Sequence, residues 1–284
     1  FNKTVRVKPG TDIKCSPEGV TKTFQMAKAV LDNEQLGQDD VTDMLAISIS
    51  STDIIGHAYG TRGAENKAAY MRTDAELADF LAYLDQKVGK GNYLFFLSAD
   101  PADGYAAWNE IKSLNEAFRT KYGIETVALM ANANRIYLDH AAIAKAGLQL
   151  DAVKKEAADF LARNPKVHMV VDYANAVNTS LPQLIRERIV NGWNPERSGD
   201  LFVVPKPHHV DGVVTPEYRG TSHGVWNPYD SHIPMVFMGW KVPHGQTSTP
   251  TRIVDIAPTV CEMLHIQMPN ACIGDAVNEI VNPK

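Results

Sequence analysis

The segment 43–100 restricts the fold more than any other part of this chain. "DMLAISIS" and "NYLFFLSAD" are short, nearly continuous apolar runs bounded by turn residues. Between them, "AENKAAYMRTDAELADFLAYLDQKVG" repeats its apolar positions at helical spacing and closes on Gly89. Strand, long amphipathic helix and strand predict a right-handed parallel crossover in a sheet covered on both faces. Upstream, "SPEGVTKTFQMAKAVLDNEQLG" predicts a helix with Ser16 as N-cap, Pro17 at the first helical position and Gly37 past the end.

From about residue 107 to 196 the pattern changes. "IETVALMANANRIYLD" predicts two short strands around an Asn-rich turn, and "LDAVKKEAADFLARNP" a helix stopped by Asn164-Pro165. "KVHMVVDYANA" reads as a strand and "SLPQLIRERIVNGW" as a helix. "DLFVVP", "IPMVFMG" and "RIVDIAPTVCEMLH" then return to the core. The expectation is an α/β fold: a doubly wound, mostly parallel sheet with helices on both faces, core segments 1–106 and 197–284, and an inserted α+β subdomain over about 107–196. Such a sheet normally begins with a strand whose carboxyl end helps form the site. Only "KTVRVK" precedes the first helix, so the N-terminal part of the core reads as absent.

A net charge of -5 gives no basic footprint, so no nucleic-acid binding is expected. Nothing approaches the roughly 18 continuous apolar residues of a membrane span, and "FNKTVRVKPG" has no charged-then-apolar leader. Cys15, Cys261 and Cys272 are too sparse for a zinc knuckle or a disulfide framework. They read as packed thiols, although Cys261 and Cys272 could pair.

Ligands of open α/β sheets bind beyond the carboxyl ends of the strands, and Asp53 and Asp100 stand at two predicted strand ends. Each taken singly is a candidate helix N-cap. His57 follows Asp53 by four positions, a spacing that brings both side chains to one point if the segment is helical or tightly wound. Gly56 and Gly60 would let the backbone bend around that point. Carboxylate plus imidazole suits zinc, at about 2.0–2.2 Å from each donor, though ligand type alone also admits Mn or Fe. His223 lies in a Gly-flanked loop before the apolar run "IPMVFMG". His208 and His209 read as solvated turn residues, His232 as a packed residue, and Arg62 and Lys67 as solvated surface.

"SSTDIIGHAYG", "FFLSAD" and "RGTSHGVWNPYDSHIPMVFMG", in this order, resemble motifs of the alkaline phosphatase superfamily, nearest to the type I phosphodiesterase/nucleotide pyrophosphatase group that includes monomeric bacterial alkaline phosphatases. The resemblance implies an alkaline phosphatase-like fold and two zinc ions, with Asp53, His57 and His223 on one ion and Asp100 on the other. Two cations ~3.5–4 Å apart can clamp both oxygens of an in-line phosphoryl displacement. It further implies a Thr or Ser nucleophile that forms a covalent phospho-enzyme, a small phosphate ester as substrate, and a periplasmic or secreted location. The activity implied is that of a phosphomonoesterase. The alternatives are a phosphodiesterase of the same superfamily, a metal-binding remnant without turnover, or an α/β domain whose acids and histidines are incidental. A sulfatase fits less well, for want of a C-x-P-x-R-like segment.

Two departures qualify this. The family pattern has S-A-D-H-G where this chain reads "SADPADG", so Pro101 replaces a histidine ligand of the second ion. The first strand's Asp and the hydroxyl nucleophile lie, in the family, upstream of the equivalent of Phe1. Either the enzyme is degenerate, or residues are missing before Phe1 and between Asp100 and Pro101; the family-like remainder favours omission. On this reading the chain by itself does not turn over substrate and its parent protein does.

Overall fold

Val20, Phe24, Ala27 and Leu31 recur every three or four residues and form the buried stripe of helix α1 (Pro17–Asn33). In the computed structural model, which describes residues 12–99, 106–108, 110–211, 218–224 and 226–282, this stripe packs on Phe80 and Leu84 of α3 (Ala64–Leu84). The Phe24 and Phe80 rings lie 5.4 Å apart, and burying such a side chain contributes about 1.5–3 kcal/mol. Ser16 precedes α1 in an extended conformation, but its hydroxyl bonds back to the Ile13 carbonyl instead of capping the helix. Past the end of α3, Gly89 adopts φ +98 after a short π-helical turn, Asp85–Gly89.

The α/β class expected from the sequence holds. Its strand pairing differs from expectation. β1 (Leu94–Ser98) pairs antiparallel with β8 (Met235–Gly239), Phe96 standing opposite Phe237. Of residues 43–50, expected as a strand, 43–49 form no ladder among the described residues and Ser50 already belongs to a helix. They alternate instead in exposure, with Leu45, Ile47 and Ile49 packed against the Phe24 cluster. Leu45, Ile47 and Ile49 thus set the inward face, and the apolar run said nothing about a neighbouring strand. The run continues into helix α2 (Ser50–Tyr59).

Contacts divide the chain into two compact units. One comprises Phe1–Ile55, Ala64–Asp100 and Ile233–Lys284; the other comprises Gly56–Gly63 and Pro101–His232, so the division runs through α2. The expected insertion, about 107–196, falls within the second unit, which extends further to His232.

The second unit is organised by an antiparallel sheet in the order β3-β4-β6-β5, from β3 (Ala128–Asn132), β4 (Arg135–Leu138), β5 (Val167–Asp172) and β6 (Leu201–Pro205). The Asn-rich turn is real: Ala133 and Asn134, both at positive φ, connect β3 to β4. Along β6, Leu201 and Val203 join a cluster with Leu114, Phe118, Ile143, Ala157 and Leu161 from α4 (Ile111–Tyr122), α5 (His140–Lys145) and α6 (Leu150–Leu161). Phe202 and Val204 join the opposite cluster, with Ile185 and Ile189 of α7 (Gln183–Asn191). "LFVV" is continuously apolar because this central strand is covered on both faces. A parallel pair, β2 (Ala106–Trp108) with β7 (His209–Asp211), completes the described ladders.

In the remainder, α8 spans Ile256–Leu264 within the expected "RIVDIAPTVCEMLH" helix. Cys15, Cys261 and Cys272 form no disulfide among the described residues. Among the described residues no helix is long and apolar enough to cross a membrane.

Asn115 of α4 fixes the start of β3. Its Oδ1 accepts from the backbone N–H of Val127 (2.9 Å) and Ala128 (2.8 Å), and its Nδ2 donates to the Ala128 carbonyl (3.0 Å). Val127 and Ala128 are buried, so Asn115→Leu would strand these backbone groups away from water. Chemical denaturation should show a loss of about 2–4 kcal/mol, from one to two buried groups left without partners.

Candidate metal centre

Asp53 and His57 lie one turn apart on α2, on one face of the helix. Asp53 is in the first turn, where the unpaired N–H groups favour a negative charge. Ile55, fully buried, anchors the helix on another face. Gly60 terminates α2 at φ +80 with its N–H on the Gly56 carbonyl at 2.8 Å. Gly56 itself does not bend the chain, contrary to expectation: it is buried inside the helix, and its carbonyl receives the segment that bears His223.

That reception is specific. Thr221, 1% exposed, donates to the Gly56 carbonyl from both its N–H (3.0 Å) and its Oγ1 (3.2 Å). Its own carbonyl accepts from His57 Nδ1 at 2.7 Å. A carbonyl oxygen can only accept, so Nδ1 carries a proton, and in the neutral ring Nε2 is the nitrogen with the lone pair. Tyr218 donates its hydroxyl to the same Thr221 carbonyl at 3.2 Å. Partial burial pushes the Tyr218 phenol above its ordinary pKa, which keeps it a donor. Two residues beyond Thr221, the His223 ring stands 5.1 Å from that of His57, tilted by 34°. The loop after it is tied by Asp230, 5% exposed, whose Oδ2 accepts the Gly224 N–H at 2.8 Å.

One donor atom each from Asp53, His57 and His223 falls within a set spanning no more than 4.8 Å, and all three residues are half-buried. Donors around one tetrahedral zinc sit about 3.3–3.6 Å apart. Closing the set therefore takes a movement of the order of 1 Å, within the reach of side-chain torsions. One carboxylate and two imidazoles on a half-open rim suit a divalent cation that keeps positions for other ligands.

Of the four residues expected to bind metal, the geometry thus brings three together. Asp100, with Pro101 beside it, lies outside the described residues. His208 is exposed as expected, stacked flat on Tyr229 at 4.7 Å, and His209 Nδ1 pairs with the Pro207 carbonyl. His232, expected as a packed residue, is exposed, because the turn that begins at Pro228 carries it outward before β8. Arg62 and Lys67 are solvent-exposed. Sequence reasoning missed Thr221, Tyr218 and Asp230. The nearest signal was the glycine pair around "TS" in "RGTSHG", which marks a close backbone approach.

Comparison with known proteins follows this geometry. Residues 8–224 match the model of the family described as type I phosphodiesterase / nucleotide pyrophosphatase. The chain is 37% identical over 283 residues to alkaline phosphatase PafA of Elizabethkingia meningoseptica, covering 95% of this chain and 51% of that protein. It is 40% identical over 286 residues to a Myroides odoratus protein named calcium-transporting ATPase (95% and 52%), and 38% identical over 277 residues to alkaline phosphatase PhoV of Synechococcus elongatus (93% and 50%). A crystal structure of wild-type PafA superposes with a TM-score of 0.90 at 36% identity, over 99% of this chain and 58% of that one. The chain spans about half the length of the curated relatives it matches.

Gly220 is the point of closest approach. A Cβ there would stand 1.7 Å from the His57 carbonyl oxygen and 2.8 Å from the Tyr218 ring. Gly220→Ala should push Thr221 from α2 and cost about 1–3 kcal/mol, the range for overpacking a filled site. Thermal unfolding of the variant measures this, and loss of exchange protection at the Thr221 amide would locate the damage.

Proposed function

The chain belongs to the type I phosphodiesterase / nucleotide pyrophosphatase family, and from that premise we propose that it is part of a zinc-dependent phosphomonoesterase of the alkaline phosphatase kind. The single observation that supports this best is the convergence of Asp53, His57 and His223. Relatives named alkaline phosphatase at 37–38% identity supply the reaction class. In this reading the three residues hold one zinc ion, and Asp100 is a ligand of a second.

Bound there, a divalent cation supplies neutralisation of charge on a phosphoryl oxygen. The chain's own residues supply position. Asp53 and His57 are fixed in spacing by one helical turn, and the Thr221 carbonyl holds the His57 ring in the tautomer that leaves Nε2 for the cation. Phosphoryl transfer needs little more from a protein than positioning and charge stabilisation, and the three residues are half-buried, not sealed from solvent.

The name of the matching family favours a second reading, a phosphodiesterase built on the same ligands. The ATPase name of the Myroides odoratus relative also belongs to hydrolysis at a phosphoryl centre. We extend the proposal to a periplasmic or secreted location, which rests on the family resemblance and is tested by cell fractionation.

The intact protein should contain tightly held zinc and lose hydrolysis of a phosphate monoester when treated with a chelator. Asp53→Ala combined with His223→Ala should remove one zinc ion per chain and lower kcat/KM at least about a hundredfold, consistent with several kcal/mol of charge stabilisation. Metal content that is unchanged in the double variant would sink the reading. Activity confined to a diester would select the phosphodiesterase.

A further inference from the structure

The Thr221 carbonyl receives two donors, and only one of them belongs to a residue of the metal triad. His57 Nδ1 takes one direction at 2.7 Å and the Tyr218 hydroxyl takes another at 3.2 Å. A carbonyl oxygen has two acceptor directions, so the pair uses its full capacity. Thr221 is 1% exposed, which keeps bulk solvent away from its backbone. On its other side the peptide is tied to α2 through the Gly56 carbonyl.

Packing does not account for Tyr218. Its ring is partly covered at 36% exposure, and its hydroxyl is on the Thr221 carbonyl. The ring sits over Gly220, where even a methyl group would collide with it, and this closes the three-residue step from the phenol back to the carbonyl. A tyrosine placed only for its hydrophobic area would not need its oxygen on the acceptor that sets an imidazole.

We propose that Tyr218 is a positioning residue for His57: its hydroxyl pins the Thr221 carbonyl, and the pinned carbonyl fixes the ring plane and the tautomer of His57. The role rests on the reading of Asp53, His57 and His223 as a metal site. It adds to that reading a residue that touches neither cation nor substrate. Partners of ligating histidines hold ring orientation and protonation in this way, and here the partner is itself held.

Tyr218→Phe isolates the hydroxyl, because the ring remains. In the intact, metal-free protein, long-range proton–nitrogen NMR spectra report which ring nitrogen of His57 is protonated and how fast that proton exchanges. The wild type should show a protected Nδ1 proton. The variant should exchange it about two- to tenfold faster, the worth of one net hydrogen bond. Zinc titrated into the same samples should bind more weakly by a similar factor, while Tm stays close to that of the wild type. Unchanged exchange and unchanged zinc affinity would overturn the proposal. So would a fall in Tm as large as that of Tyr218→Ala, since the ring would then act through packing. A wild-type protein that takes up no zinc would defeat the metal reading instead, and the metal-free comparison would still decide the part played by Tyr218.

Discussion

The main chain of one residue joins the two parts of the candidate site. Thr221 gives its N–H to Gly56 and its carbonyl to His57, so residues more than 160 positions apart in the chain are locked by backbone groups. Side-chain contacts could be exchanged for others of similar shape. A buried N–H or C=O cannot, because losing its partner costs about 1–3 kcal/mol with no water to replace it. The spacing of Asp53 and His57 comes from the helix, and the place of His223 comes from this graft of a loop onto that helix. Gly220 is the condition for the graft, since no other residue lets the two backbones approach so closely.

The elements were largely legible because each rests on local chemistry. Pro17 and the Asn-rich turn announced α1 and the β3–β4 hairpin directly. Pairing direction was not legible, for a physical reason. A continuous apolar run reports that both faces of a strand are covered, which is usual in parallel sheets but equally true of β6 at the centre of an antiparallel one. Residues 43–50 make the complementary point: an apolar run shows that side chains are covered, while a ladder depends on a neighbour that the run cannot name.

The site was legible to the same degree and no further. Asp53 and His57 announced themselves by a four-residue spacing that is meaningful on a helix, and His223 by its glycine-flanked loop and family motif. Thr221 reaches His57 through its main chain, so its residue type carries only the Oγ1 bond to Gly56 and nothing of the contact to the imidazole. Tyr218 acts on that main chain in turn. Asp230 is visible only once Gly224 is seen to donate to it. Supports that work through backbone atoms leave little trace in residue identity.

The donor chemistry bears on why such a rim would suit phosphate. A divalent cation held by one carboxylate and two neutral imidazoles keeps a net charge of about +1 on the ion and its ligands, whereas a carboxylate-rich site would cancel it. Phosphate esters are anions, and the charge that builds on their oxygens during transfer needs an opposing charge that is already in place. That places a constraint on the imidazoles: each must stay neutral and aimed, since a ring that turns or takes a second proton is lost as a donor. For His57 the requirement is met by an uncharged acceptor, the Thr221 carbonyl, where a carboxylate would have added negative charge to the site. A backbone acceptor would then keep a cation held there electrophilic, and the network around Thr221 is the means of holding that acceptor still.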